Sequence, residues 1–255
     1  MQYLFARANS EVLAQLAWTR SLLSFDFDGT LAPIVANRHA AAMRSTTVTL
    51  LDAASQIYPC AVISGRSHAD LSRRLARVRF ERVVSNHGFE AGRHDPTIAR
   101  AIRGARESLQ KALHDVQGVE LEDKGYSLAI HYRRSRRRRE ARRAIAAAGK
   151  HLPATLRMMP GTLVVNVVHN RAPNKATAVL RLRQELGMDT VLYVGDGSSD
   201  EDVFELDQPG RLLSVRVGRS RGSNAPYFLR GQREIDHLLE LLTELRTRRI
   251  AAGDA

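Results

Sequence analysis

The stretch SLLSFDFDGTLAPI, residues 21–34, decides the fold that this sequence predicts. It opens with a short apolar run, carries two aspartates separated by one residue, Asp26 and Asp28, and turns at Gly29. An apolar run bounded by turn residues is typical of a buried strand in a parallel sheet. Ligands bind beyond the carboxyl ends of such strands, so we expect this pair of carboxylates to lie at a functional site.

Four further apolar runs follow the same pattern, and helical segments separate most of them. The predicted strands are PCAVIS (59–64), ERVVSNHG (81–88), TVLYVGD (190–196) and RLLSVRVG (211–218). Strands that alternate with helices predict an α/β fold, with a Rossmannoid parallel sheet at its core and helices on both faces.

The middle of the chain has a different pattern. A helical segment at 97–116 is followed by a hairpin, GVELEDKGYSLAIHYR (118–133), an Arg-rich helix at 135–149, and two more strands, LPATLRMMP and TLVVNVV. This order predicts an antiparallel sheet covered by helices on one face, which is a separate α+β module. We therefore expect a core formed by residues 1–92 and 170–255, with residues 93–169 inserted as a second domain.

Composition excludes several classes of protein. Hydrophobic residues make up 44% of the 255 residues, which is too many for a disordered chain. No apolar stretch approaches the ~18 residues of a membrane span, and the N-terminus lacks the pattern of a signal peptide. The single cysteine, Cys60, excludes an intramolecular disulfide. We expect a cytoplasmic protein without a membrane partner.

The net charge of +12 is concentrated in one segment. Residues 133–143 read RRSRRRREARR, with eight arginines and one glutamate. Such a run suggests nucleic-acid binding, but no aromatic residue interrupts it to stack on bases. We favour the solvent-exposed side of an Arg-rich helix and do not expect specific nucleic-acid binding.

Polar residues collect at the predicted ends of the core strands, where the carboxyl ends of parallel strands meet. They are Asp26, Asp28, Ser64, Gly65, Arg66, His87, Asp196 and Asp200, together with Lys175 at the start of a helix. Several carboxylates in one pocket repel one another unless a cation neutralises them, and oxygen ligands suit Mg²⁺. One carboxylate can attack phosphorus while another donates and accepts a proton.

Each of these residues also has a purely structural interpretation. Ser64 and Asp200 can cap helices, Lys175 can be a surface lysine, and an isolated Asp-x-Asp can be a turn. Their joint occurrence at the ends of apolar runs favours a phosphoryl-transfer site.

The motifs DFDGT, SGR, a single lysine and GDGSSDEDVF, in this order, resemble the haloacid dehalogenase (HAD) superfamily of phosphatases. The resemblance implies that Asp26 is the nucleophile and Asp28 the general acid and base. It implies that Ser64, Gly65 and Lys175 bind phosphate. The implied Mg²⁺ ligands are Asp26, the backbone carbonyl of Asp28, Asp196 and Asp200.

Finer features are similar to the trehalose-6-phosphate phosphatases of that superfamily. These are DFDGTLAPI, NHG followed by Glu90, DEDVF, and the hairpin ELEDKGYSLAIHYR, which lies where a C2-type cap is inserted. The resemblance implies a Mg²⁺-dependent hydrolysis of trehalose 6-phosphate through an aspartyl phosphate, in trehalose biosynthesis. The implied substrate-binding residues are Arg66, His87, Glu122, Lys124, Ser127, His131, Arg133 and Asn166.

Two departures from the family pattern keep alternatives open. Gly197 and Ser199 stand where the family carries Asp and Thr, and Asn166 stands where it carries Glu. They leave another sugar phosphate open as the substrate, such as sucrose phosphate or mannosyl phosphoglycerate. Two more distant alternatives are a hexose phosphomutase, which no residue specifically supports, and a nucleic-acid-binding protein, which rests on the Arg run at 133–143. The expected partner is a small sugar phosphate, and the sequence does not determine the oligomeric state.

Overall fold

The computed structural model describes residues 1–35, 37–75, 78–90, 95–161, 163–206 and 208–253, without the side chains of Phe89 and Glu90. The chain forms two compact units. The core unit comprises Met1–Gly88 and Asn174–Ala255, and the inserted unit comprises Phe89–Pro173. The predicted boundary at 92/93 lies outside the described residues, and the boundary predicted at 169/170 is found at 173/174.

The described residues form strands and α-helices in the following order along the chain. The strands are β1 (Gln2–Tyr3), β2 (Ser21–Phe25), β3 (Cys60–Ile63), β4 (Arg82–Ser85), β5 (Phe89–Glu90), β6 (Glu120–Asp123), β7 (Ser127–His131), β8 (Leu156–Gly161), β9 (Val164–His169), β10 (Thr190–Gly195), β11 (Leu212–Val217) and β12 (Tyr227–Leu229). The α-helices are α1 (Ser10–Trp18), α2 (Ser45–Ser55), α3 (His68–Arg74), α4 (Pro96–Leu113), α5 (Arg138–Gly149), α6 (Lys175–Glu185), α7 (Glu201–Phe204) and α8 (Glu234–Ala251).

The strands of the core unit form a parallel sheet in the order β1-β12-β11-β10-β2-β3-β4. Every residue of β2 and β3 is buried, because helices pack on both faces of the sheet. Alternate residues of a strand point to opposite faces, so Leu23 joins the core under α1, α2 and α8, whereas Leu22 joins the core under α6 and α7. This arrangement confirms the predicted α/β sheet.

The end of β2 separates the two aspartates of the first motif. The strand ends at Phe25, directly before Asp26, and the backbone turns at once. The amide of Ala32 donates to the carbonyl of Phe27 at 2.8 Å, and Gly29 adopts a φ of +84°. Because the turn begins there, Asp26 and Asp28 do not share one face of an extended strand.

The inserted unit is an antiparallel sheet in the order β6-β7-β9-β8, as the sequence predicts. Helices α4 and α5 cover one of its faces, where Ile102 and Ile145 pack in one core with Leu128, Ile130 and Val167. Helix α4 begins behind a capping aspartate, Asp95, whose carboxylate accepts hydrogen bonds from the first turn of the helix.

Several elements differ from the prediction. The Arg-rich helix begins at Arg138 and not at residue 135, and α7 is a single turn, Glu201–Phe204. Strands β1 and β12 were not predicted, because two- and three-residue strands carry too few residues to show a periodicity. Helix α1 was also not predicted. Among the described residues, no helix combines the length and the hydropathy needed to cross a membrane.

Candidate active site

Lys175 lies at the centre of a buried cluster of charges in the core unit. It is the first residue of α6, where the side chain of Asn174 caps the helix and fixes its start. Its ammonium nitrogen lies 2.8 Å from Asp26 Oδ1 and 2.7 Å from Asp200 Oδ1, and the side chain is 1% exposed. A buried ammonium group is tolerated only when it is paired, and here two carboxylates pair with it.

Asp200 uses both of its carboxylate oxygens inside the protein. Oδ1 accepts hydrogen bonds from Lys175 and from the hydroxyl of Tyr193, at 2.7 and 2.6 Å. Oδ2 accepts hydrogen bonds from the backbone amides of Asp196 and Gly197, at 3.1 and 2.8 Å. A carboxylate has about four acceptor positions, so these four donors fix the orientation of Asp200 and, through it, of Lys175.

Asp196 completes a group of three carboxylates. Asp26, Asp196 and Asp200 each offer an oxygen atom, and these atoms lie within 4.8 Å of one another. Gly29 and Gly195 make this approach possible, because a Cβ atom on Gly29 would overlap the Asp196 carboxylate and one on Gly195 would overlap Asp200. The group therefore depends on glycines at both strand ends.

The electrostatics of the cluster indicate a shortage of positive charge. Burial is the largest reason that the pKa of Asp26 is raised well above its usual range, although Lys175 opposes the shift. Burial and the charge of Asp200 raise the pKa of Asp196 to about 7. Burial lowers the pKa of Lys175, but the two neighbouring carboxylates outweigh it and raise the pKa above that of a free lysine. A divalent cation with oxygen ligands fits this set of donors.

The Asp28 carboxylate binds Arg66. The guanidinium Nε and Nη2 atoms each donate to one oxygen of the Asp28 carboxylate at 2.6 Å, in a bidentate ion pair. The Asp28 side chain is 42% exposed, whereas that of Arg66 is 10% exposed. The two aspartates of the first motif thus occupy different environments, one buried and one accessible.

Ser64 and Gly65 follow β3, which pairs with β2, and His87 follows β4, the next strand of the sheet. Ser64 is buried, and its hydroxyl accepts a hydrogen bond from the backbone amide of Arg66 at 3.3 Å. His87 adopts a φ of +60°, and its ring packs so closely on Gly65 that a Cβ atom there would overlap it. The sheet order places Ser64 and Gly65 beside the end of β2 and His87 one strand farther away.

The other six predicted substrate-binding residues belong to the inserted unit and lie around one face of its sheet. The helices cover the face of Leu128 and Ile130, so the alternate residues point the other way. These alternate residues are Glu122, Ser127, His131 and Asn166, with Lys124 and Arg133 just beyond the strand ends.

Three of these side chains meet in space. Glu122 Oε2 lies 2.9 Å from His131 Nε2 and 4.0 Å from the ammonium nitrogen of Lys124. Asn166 lies in the same row across the sheet as Glu122, since both are in register with Ala129 of the strand between them.

Two residues of the core unit escaped the sequence prediction. The hydroxyl of Tyr193 donates a hydrogen bond to Asp200, but Tyr193 lies within an apolar strand, where the sequence pattern indicates only a residue of the hydrophobic core. Asp70 binds Arg66 and Arg74. The spacing Arg66-x₃-Asp70-x₃-Arg74 was the available signal, because residues four apart are neighbours on a helix.

A family model described as trehalose-phosphatase matches residues 24–233. The chain belongs to the trehalose-phosphatase family. Among its relatives, the trehalose-phosphate phosphatase of Mycobacterium avium is 31% identical over 218 residues, which cover 79% of this chain. That of Mycolicibacterium paratuberculosis is 30% identical over 222 residues, again 79% of this chain. The match spans about half of these curated relatives, 55% of each.

Solved structures of the family share the fold. The C-terminal domain of the C. albicans trehalose-6-phosphate phosphatase superposes with a TM-score of 0.77 at 22% identity, over 92% of this chain and 97% of that one. The Aspergillus fumigatus trehalose-6-phosphate phosphatase superposes with a TM-score of 0.63 at 24% identity, over 96% and 99% of the chains. These likenesses confirm the predicted HAD-like fold, and the family model confirms the resemblance read from the motifs.

Proposed function

We propose that this member of the trehalose-phosphatase family is a Mg²⁺-dependent phosphatase that converts trehalose 6-phosphate into trehalose and inorganic phosphate. The observation that carries the proposal is the position of Lys175 between Asp26 and Asp200, at the sheet edge where Asp196 also lies. A carboxylate beside a fixed cation and further metal-type ligands is an arrangement suited to phosphoryl transfer. The family membership supports the substrate.

In the first step, one carboxylate oxygen of Asp26 attacks the phosphorus atom. A bond forms between that oxygen and phosphorus while the bond from phosphorus to the sugar oxygen breaks, and Asp28 gives its proton to the departing oxygen. Lys175 holds Asp26 in place and offsets the charge on the phosphoryl oxygens. Ser64 and Gly65 contribute hydrogen-bond donors to the same oxygens.

In the second step, Asp28 accepts a proton from a water molecule as the water oxygen bonds to phosphorus. The bond between Asp26 and phosphorus breaks, which releases phosphate, restores the Asp26 carboxylate and leaves Asp28 protonated for the next cycle. When bound by Asp26, Asp196 and the carbonyl of Asp28, Mg²⁺ supplies charge that neutralises the phosphate. The proposed role of Asp200 is to hold Lys175 in position, because four donors from the protein occupy the oxygens of Asp200.

The sugar is proposed to bind the polar side chains of the inserted unit. Glu122, Lys124 and His131 present a linked set of charged donors and acceptors that matches the many hydroxyl groups of a disaccharide. Ser127, Arg133 and Asn166 flank them, and Arg66 and His87 are the proposed substrate contacts of the core unit. The cytoplasmic location and the absence of specific nucleic-acid binding stay predictions.

The test is phosphate release from a panel of sugar phosphates, with Mg²⁺ and with EDTA, using the wild type and Asp26→Asn. We expect turnover of trehalose 6-phosphate that EDTA abolishes and that Asp26→Asn lowers at least ~1,000-fold with an unchanged circular dichroism spectrum. Metal-dependent turnover of sucrose phosphate or mannosyl phosphoglycerate instead would assign a different substrate. Near-normal turnover by the Asp26→Asn variant would overturn the assignment of Asp26 as the nucleophile.

A further inference from the structure

Asp70 touches none of the reacting groups, yet it is tied to one of them through a single side chain. It lies in the first turn of α3, where Ser67 caps the helix. Its carboxylate accepts hydrogen bonds from Arg66 Nη1 and from Arg74, whose Nε and Nη2 atoms donate at 3.2 and 2.9 Å. Burial opposes its ionisation, but the hydrogen bonds from Arg74 and Arg66 lower the pKa of Asp70 to about 2.

Arg66 joins two carboxylates through different parts of one guanidinium group. Its Nε and Nη2 atoms hold Asp28, and its Nη1 atom holds Asp70. Nη2 also donates to the backbone carbonyl of Arg38 at 3.0 Å. Because a guanidinium group is planar and rigid, partners on two sides fix its position and its rotation.

Asp28 depends on this group for its orientation. Among the described residues, Arg66 donates a hydrogen bond to each oxygen of the exposed Asp28 carboxylate. Arg74, at the far end of the series, also donates to the carbonyls of His39 and Ala41, so the series is anchored to the backbone. Oppositely charged groups thus run from Arg74 through Asp70 and Arg66 to Asp28.

We infer that Asp70 is a positioning residue for the acid–base reaction: it holds Arg66, and Arg66 holds the Asp28 carboxylate where a leaving oxygen takes its proton. This inference rests on the proposed function. General acid catalysis contributes ~100- to 10,000-fold to a rate and requires the acid within hydrogen-bond reach of the leaving atom. Without Asp70, Arg66 still binds Asp28 but loses the carboxylate on its other side. The ion pair of Arg66 and Asp28 then shifts as a unit away from the leaving oxygen.

The test compares leaving groups. Trehalose 6-phosphate releases an alkoxide that needs a proton, whereas p-nitrophenyl phosphate releases a stable phenolate that does not. We measure kcat/KM, which reports only the steps up to departure of the leaving group, for both substrates in the wild type and Asp70→Asn. The expected result is a loss of ~10-fold or more for trehalose 6-phosphate and less than ~2-fold for p-nitrophenyl phosphate.

The ratio of the two kcat/KM values does not depend on how much of a preparation is folded, so partial misfolding does not obscure the result. Arg74→Gln, which frees Asp70 from its second partner, is a further variant and should shift the ratio the same way by a smaller factor. Glucose 6-phosphate, an alkyl ester without the second sugar, should lose as much as trehalose 6-phosphate. Asp70→Glu, which keeps the charge, should restore most of the ratio.

Asp189→Asn is the matched control, because Asp189 also accepts two hydrogen bonds from the guanidinium group of one arginine, Arg20, but on the exposed surface. It should leave both substrates within ~2-fold of the wild type. Equal losses on the alkyl and aryl substrates in Asp70→Asn would mean that Asp70 has only a structural role, and would overturn the inference while leaving the proposed function intact. A wild type that hydrolyses neither substrate would overturn both.

Discussion

Asp200 binds Lys175 at 2.7 Å while its other oxygen accepts the backbone amides of Asp196 and Gly197. One carboxylate therefore fixes both the cation that faces Asp26 and the loop that presents Asp196. Both oxygens of Asp200 accept hydrogen bonds from the protein, and we propose that Asp196, in the same group of carboxylates, is the direct metal ligand. We therefore propose different tasks for the two aspartates of GDGSSD, although both are the same residue type in one motif.

Asparagine at each of these positions separates the two tasks. We expect Asp196→Asn to raise the Mg²⁺ concentration for half-maximal turnover at least ~10-fold, because a direct ligand is weakened. We expect Asp200→Asn to change that concentration less than ~3-fold and to lower kcat ~100-fold. It should also lower the free energy of unfolding by about 3 kcal/mol, because buried Lys175 loses a charged partner.

Mg²⁺ titrations of turnover and thermal melts measure both effects, with Asp189→Asn as the control. A shift of the Mg²⁺ requirement that is as large in Asp200→Asn as in Asp196→Asn would show that Asp200 is itself a metal ligand.

The close approach of Gly29 to Asp196 leads to a second prediction. Gly29→Ala places a methyl group against the Asp196 carboxylate, at a backbone φ of +84° that disfavours alanine. Gly187→Ala is the matched control, because Gly187 has a φ of +64° and nothing within 4 Å of its added Cβ atom. In both variants, the strained backbone conformation of alanine should lower the free energy of unfolding by about 1 kcal/mol.

Only Gly29→Ala should also lose activity, by at least ~100-fold in phosphate release, since only there does the methyl group displace a proposed metal ligand. Equal activities of the two alanine variants would mean that the contact between Gly29 and Asp196 has no role in turnover.

The sequence predicted the residues that lie at the ends of regular elements. Asp26, Asp196 and Lys175 each stand at the boundary of a strand or helix, and boundaries are marked locally by the change from apolar to polar residues. Tyr193 and Asp70 carry no such mark. Tyr193 lies within an apolar strand and meets Asp200 only through the fold. Asp70 has a local signal, its spacing of four residues from Arg66 and Arg74, but the link from Arg66 to Asp28 is a tertiary contact.

The same distinction applies to the fold. Buried central strands such as β2 and β3 are visible as apolar runs, whereas β12, with three residues, gains its place by pairing with β11. The sequence pattern also predicts that the chain turns at Gly29 so that Asp26 and Asp28 can take different roles, and in the structure β2 ends at Phe25, before both of them.

The proposed sugar contacts lead to a third prediction, at Lys124. Lys124→Ala should raise KM for trehalose 6-phosphate at least ~10-fold and leave p-nitrophenyl phosphate within ~2-fold, because Lys124 belongs to the set around Glu122 that is proposed to bind the sugar, whereas the groups proposed to act on the phosphate surround Lys175. Lys150→Ala, an exposed lysine at the end of α5, is the control. Equal losses on the two substrates would show that Lys124 does not read the sugar.

The raised pKa of Asp196 predicts how the metal-free protein responds to pH. Its carboxyl group has a pKa of about 7 in the folded state against an ordinary value of 3.8, so the folded state binds the proton more tightly between these values. The unfolded state then binds fewer protons, and the free energy of unfolding falls as the pH rises through this window. We expect the Tm in EDTA to fall between about pH 5 and about pH 8.

Asp196→Asn carries no titrating group at this position, so its Tm in EDTA should fall less over the same range. Asp26 is shifted in the same direction and stays in the variant, so the slope flattens without vanishing. Mg²⁺ should also flatten the slope of the wild type, because a bound cation stabilises the ionised carboxylates. Parallel Tm curves for the wild type and Asp196→Asn in EDTA would show that Asp196 is already ionised at low pH, and that the cluster does not lack positive charge.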